Sequence, residues 1–164
     1  MLSIPGLGLV ILIGVAATAI MDVWVFILSR LGVPATNWRL VGRWVGQMRN
    51  GRFSHASIAQ ATQVRGEHAL GWLTHYAVGV VYAVALVALV GAGWASQPTI
   101  LPALVLGLAT VVVPLFVMQP AMGSGFAGSK TPSPFKTCLR GFANHAAFGA
   151  GLYVAAAGVA YLTR

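Results

Sequence analysis

Apolar residues fill four stretches of the chain, and every charged residue except Asp22 and Arg164 lies in the segments between them. The stretches run from about Ile4 to Ser29, Ala69 to Ala92, Thr99 to Met118 and Phe142 to Leu162. Each is close to the roughly 20 residues that a helix needs to cross the hydrocarbon of a bilayer. No Asp, Glu, Lys or Arg occurs between Ala69 and Ser129, so only the uncharged turn Gly93-Trp94-Ala95-Ser96-Gln97-Pro98 joins the second stretch to the third. The pattern predicts an all-α membrane protein: one domain over residues 1–164, with four transmembrane helices in a bundle and polar loops at 30–68 and 119–141. Ala17-Thr18-Ala19 resembles a signal-peptidase site. No basic residue precedes it, however, and apolarity continues through Leu28, so the first span is read as retained.

Finer periodicities subdivide this frame. Trp38, Val41, Val45 and Met48 recur at helical spacing behind Asn37, a capping residue, and predict a short helix over 38–48. With Arg39 and Arg43 on another face, it is expected to lie in the headgroup plane, tryptophans down and arginines toward anionic lipid. Asn50-Gly51 marks a turn. Pro114 cannot donate to the carbonyl of Thr110 and predicts a kink in the third span. The stretch from Gln119 to Arg140, rich in Gly, Pro and Ser, is expected to be irregular.

One motif occurs twice. Gly71-Trp72-Leu73-Thr74-His75-Tyr76-Ala77-Val78-Gly79 returns as Gly141-Phe142-Ala143-Asn144-His145-Ala146-Ala147-Phe148-Gly149. Residues four apart share a helix face, so each histidine lies on one stripe with its two flanking glycines. The repeat predicts two parallel two-helix halves. The first and third spans match more weakly, through Gly14 with Thr18 against Gly107 with Thr110.

Charge gives this arrangement an orientation. Only 7% of residues are charged, where a soluble domain has about a quarter. Arg30, Arg39, Arg43, Arg49, Arg52 and Arg65 lie in the first polar loop, and Lys130, Lys136 and Arg140 in the last; Arg164 alone lies elsewhere. Lys/Arg clustering in alternate loops is the positive-inside signature. It places loops 30–68 and 119–141 in the cytoplasm and both termini outside, with Trp94 and Tyr161 at the outer interface. The expected setting is a bacterial inner membrane, with anionic lipids at the basic loops, any homo-oligomer parallel and no nucleic-acid partner. Cys138 is the sole cysteine, which excludes an intrachain disulfide and cysteine-rich metal motifs. No cofactor is predicted.

Asp22 is the only acid inside a span. It lies roughly 12 Å deeper than Arg30 along the helix, and His75 and His145 reach similar depth beyond Glu67 and Arg140. Intramembrane ionisable groups are costly and usually face the bundle interior. Asp22, His75 and His145 therefore form the candidate intramembrane polar site, for a proton, a metal or a polar solute; the competing reading is interhelical glue. Two rings and a carboxylate suit a divalent metal, but they come from three helices with no local ligand spacing. Glu67 and His68 at the inner interface are candidates for a gate or a solvated helix start. Gly123-Ser124-Gly125-Phe126-Ala127-Gly128-Ser129-Lys130-Thr131 has one residue too many for a phosphate-binding nucleotide loop and follows a membrane helix, not a strand. Lys130 is left as a candidate interface residue holding an anion or headgroup.

Several stretches carry a family resemblance: Ala17-Thr18-Ala19-Ile20-Met21-Asp22-Val23-Trp24, Asn37-Trp38-Arg39-Leu40-Val41-Gly42-Arg43-Trp44, Arg65-Gly66-Glu67 with His75-Tyr76, and Met118-Gln119-Pro120-Ala121-Met122-Gly123 through Thr131-Pro132. Together they resemble domain-of-unknown-function family 2938 of bacterial membrane proteins, over nearly the whole chain. The resemblance implies four membrane helices and brings no activity, cofactor or catalytic residue.

Two function classes follow: a small proton- or cation-coupled transporter or channel-like protein using the Asp/His cluster, and a non-catalytic membrane scaffold or partner subunit. No nucleophile–base pair points to an enzyme. Reporter fusions are expected to place the segments around Gly51 and Ser133 in the cytoplasm and the end of the chain beyond Tyr161 outside. A cytoplasmic C-terminus would overturn both the span count and the parallel repeat.

Overall fold

The computed structural model describes residues 4–163, and every regular element among them is helical. The long elements are α1 (Ile4–Arg30), α2 (Trp38–Met48), α3 (Glu67–Val90), α4 (Ile100–Ala121) and α5 (Pro134–Leu162). All but α2 are long and apolar enough to cross a membrane.

Two boundaries differ from the sequence expectation. α5 begins at Pro134, about two turns before Phe142. Proline fits a first helical turn because its missing N–H would have no partner there. The Ser133 carbonyl accepts from the Thr137 amide at 3.0 Å. Lys136 and Arg140 are compatible with helix but not with hydrocarbon, so an apolarity criterion sees only the later part. α4 continues past Pro114 to Ala121 through a π turn, Pro114–Met118, in which the Gln119 amide reaches the Pro114 carbonyl. The expected kink thus takes the form of a widened turn, one of the ordinary ways a helix absorbs a lost bond.

The chain divides into two compact units. The first holds α1, α3 from Tyr76, α4 as far as Thr110, and α5 from Asn144. Its core includes Val10, Ile13, Ala17, Leu86, Ala103, Phe148, Leu152 and Ala156, all buried. Glycines set the helix spacing. A methyl on Gly14 would lie 2.7 Å from the Val80 Cα, and one on Gly79 would run into the Thr18 hydroxyl. The same close approach joins α4 to α5, where a methyl on Gly107 would lie 2.7 Å from the Gly149 Cα. Large apolar side chains face outward instead, Leu89 at 77% and Leu101 at 69% exposure. Such surface is anomalous in water and ordinary against lipid. Trp94, expected at the interface, is buried, and its indole N–H donates to the Thr99 carbonyl at 3.2 Å.

The second unit comprises Ala35–His75 and Val111–Ala143. Here α2 and the start of α3 touch backbone to backbone: a methyl on Gly42 would run into the Glu67 carbonyl, and one on Gly71 into the Trp38 carbonyl. The Asn37 side chain caps α2 by accepting from the Arg39 amide at 3.1 Å. The buried face of α2 contains Val41, Gly42, Arg43, Gly46 and Gln47, so the expected disposition with both arginines outward is corrected. Arg39 is exposed, whereas Arg43 turns inward because Glu67 waits there. Arg43 Nε and Nη2 donate to the two Glu67 oxygens at 2.9 and 3.0 Å, and Nη1 donates to the Ala59 carbonyl at 2.9 Å. The Glu67 carboxylate bonded to it holds the Arg43 guanidinium still further above its usual range, outweighing the opposing effect of burial. Glu67 also accepts from the Val64 amide, and Gln47, one turn along α2, donates to the Thr62 carbonyl at 2.7 Å. Glu67 is thus buried and anchoring, not a solvated helix start.

Glu67→Gln strands a buried guanidinium and is expected to cost about 3–5 kcal/mol, the usual penalty for removing one partner of a buried pair. Thermal unfolding and proteolysis of the 50–66 segment would register it, while Arg39→Gln should leave both unchanged. Hydrogen exchange in lipid is expected to be faster over Thr110 to Val113 than in the middle of α3. Equal protection would show the π turn to be closed to opening.

Candidate intramembrane polar site

Within the first unit, one stripe of α1 carries Gly14, Thr18 and Asp22 at intervals of four. Opposite it on α3 lie Val80, Gly79 and Tyr76, in the reverse order, so the two helices are antiparallel. Thr18 satisfies its hydroxyl within the helix, donating to the Gly14 carbonyl at 2.8 Å. One turn further, the Tyr76 hydroxyl donates to Asp22 Oδ2 at 2.9 Å. Asp22 is partly buried, and its carboxylate meets a phenol from the neighbouring helix.

α4 and α5 form a second antiparallel pair. Ala103, Gly107 and Thr110 share a stripe that meets Gly149 and His145 in turn. The Thr110 hydroxyl donates to the Gly107 carbonyl at 2.7 Å and lies 2.9 Å from His145 Nδ1, itself 3.2 Å from the same carbonyl. A hydroxyl has one proton. Spent on Gly107, it leaves Thr110 as the acceptor, so all three contacts agree when Nδ1 carries the ring proton. Beside this ring in sequence, Asn144 keeps its Oδ1 buried with no hydrogen-bond partner.

His75 belongs to the second unit and is buried. Its ring stacks on Trp38 of α2, centroids 4.0 Å apart at 28°, and meets the edge of Trp72 at 5.8 Å. His68 is exposed, and the Trp72 indole donates to its Nε2 at 3.2 Å. Lys130 lines a cavity of about 400 Å³ together with His55. The structure therefore brings Asp22 to Tyr76, His145 to Thr110, His75 to Trp38 and Glu67 to Arg43. Among the described residues no group of three or more His, Cys, Asp and Glu side chains could hold a metal ion.

Sequence reasoning missed the hydroxyl partners. Tyr76 stood in the repeated motif only as a neighbour of His75, and Thr110 only as the companion of Gly107 in the weaker repeat and as the residue deprived of a donor by Pro114. The usable signal was their spacing, each three residues from a glycine that holds two helices together. Over residues 11–159 the sequence matches the family described as "Protein of unknown function (DUF2938)". No curated protein and no solved structure matches it. The match runs from within α1 to within α5, and the chain belongs to that family.

Proposed function

We propose that this protein is a small proton- or cation-coupled transporter or channel-like protein of the bacterial inner membrane, with both termini outside. The observation that carries the reading is the hydrogen bond from Tyr76 to Asp22. A carboxylate in an apolar span is expensive. Where the need is only to join two helices, a neutral amide or hydroxyl serves at lower cost. Paired with a phenol, a carboxylate can still take up and release a proton, because the phenol tolerates either state. The free Asn144 oxygen adds an acceptor for a cation or a water in the same unit. His145, its Nδ1 fixed by Thr110 and Gly107, adds a titratable ring.

A non-catalytic scaffold or partner subunit is the second reading, favoured by the backbone contacts at Gly14 and Gly107, which leave little room between those helix pairs. The two separate on conservative substitution. In proteoliposomes, wild-type protein is expected to carry a proton or cation flux above that of protein-free vesicles. Asp22→Asn should abolish the flux, and Tyr76→Phe or His145→Gln should shift its pH profile, with folded yield in detergent retained. A scaffold predicts the opposite: no flux in the wild type, and lowered detergent stability in the variants. Flux that persists in Asp22→Asn also overturns the transport reading.

A further inference from the structure

In the second unit the 50–66 segment docks on the end of α4, with the His55 amide donating to the Ala121 carbonyl at 2.8 Å and the Ile58 amide to that of Met122 at 3.0 Å. The chains touch closely enough that a methyl on Gly123 would run into the Ala56 carbonyl. Beside this seam lies the cavity of about 400 Å³, lined among others by Ser54, His55, Gly125, Phe126, Ser129 and Lys130. Its volume falls in the usual range for small-ligand sites, about 300–1,000 Å³.

The side-chain polar groups of this cavity have no hydrogen bond to protein. His55 Nε2 is buried without a hydrogen bond. The Ser54, Ser129 and Lys130 side chains are exposed and make no hydrogen bond to another protein group among the described residues. Among the described residues of the second unit the one carboxylate is that of Glu67, and it is held by both arms of Arg43. An ammonium, two hydroxyls and an imidazole around one hollow, with no carboxylate, form the donor set of an oxyanion site. Gly125 leaves the wall bare where a side chain would collide with the Ser129 hydroxyl, and the Lys130 stem packs across the same point. Phe126 is 65% exposed at the rim, an apolar surface suited to acyl chains or to a lipid interface.

We propose that this cavity binds a phosphoryl group, carried by an anionic phospholipid or by a soluble phosphomonoester. Lys130 supplies the charge, and Ser54, His55 and Ser129 supply hydrogen bonds to the oxygens. The site is independent of the intramembrane pairs and stands whether or not the protein transports.

Two measurements on the full chain separate the sources. Calorimetric titration of detergent-solubilised protein with glycerol 3-phosphate and inorganic phosphate tests the soluble one. Native mass spectrometry of protein drawn from phosphatidylcholine vesicles containing one-fifth phosphatidylglycerol tests the lipid. Binding in either arm that falls at least tenfold in Lys130→Gln, falls less in Ser129→Ala, recovers in Lys130→Arg and is unchanged in Lys136→Gln supports the site and names its source. His55→Gln provides a second loss variant should Lys130→Gln fold poorly. No binding in either arm, or binding equal in wild type and these variants, overturns it.

Discussion

Inside lipid, two helices gain nothing from hydrophobic association, since acyl chains are as apolar as leucine. What holds α1 to α3 and α4 to α5 is close packing that only glycine permits, with a Cβ on Gly14 or Gly107 falling 2.7 Å from backbone across the contact. That spacing decides what the polar side chains can reach. Tyr76 lies one turn from Gly79 and meets Asp22; Thr110 lies one turn from Gly107 and meets His145. A larger residue at either glycine would part the helices and lengthen the Tyr76–Asp22 or Thr110–His145 contact, in a medium where lost polar contacts are costly. Packing and electrostatics here are one constraint.

The second unit solves a different problem. The chain carries a formal charge of +8 with only two acids, and one of these is spent on a buried pair. Burying an ion pair gains little over apolar packing. Arg43 does more than pair, however, because its third nitrogen binds the Ala59 carbonyl while the other two hold Glu67 at the first turn of α3. One guanidinium therefore fixes a helix, a helix start and a loop together. The Gly42 and Gly71 contacts then close the backbone around it.

The fold was legible because charge is excluded from hydrocarbon, and a charge-free run of sufficient length has few alternatives to a span. The same rule hid the first turns of α5, where Lys136 and Arg140 are helical outside the apolar stretch. It also misdirected Arg43. Helical periodicity says which residues share a face but not what that face meets, and an arginine at a membrane surface has lipid phosphate as its default partner. Only the position of Glu67, far along the chain, reverses that default. The candidate site was legible as residue types at similar depth, since intramembrane Asp and His are rare enough to stand out. Their actual partners were not, because tyrosine and threonine are common in spans, and their spacing from Gly79 and Gly107 becomes a signal only once those glycines are known to hold two helices together.

The repeated histidine motif shows how far equal sequence carries. Gly79 and Gly149 behave alike, each at a close helix contact. The histidines four residues before them do not. A methyl on Gly71 would run into the Trp38 carbonyl of α2, whereas one on its counterpart Gly141 would meet the Val111 and Leu115 side chains of α4 at 3.4 and 3.6 Å. The first copy thus packs backbone to backbone against α2, and the indole of that helix covers the face of His75. His145 instead engages its neighbours in the ring plane, through Nδ1. The Trp38 indole thus holds His75 by its face, while the Thr110 and Gly107 contacts hold His145 at the edge of its ring. Two histidines from one motif therefore have different neighbours, and for His75 those include α2, a helix outside the repeat.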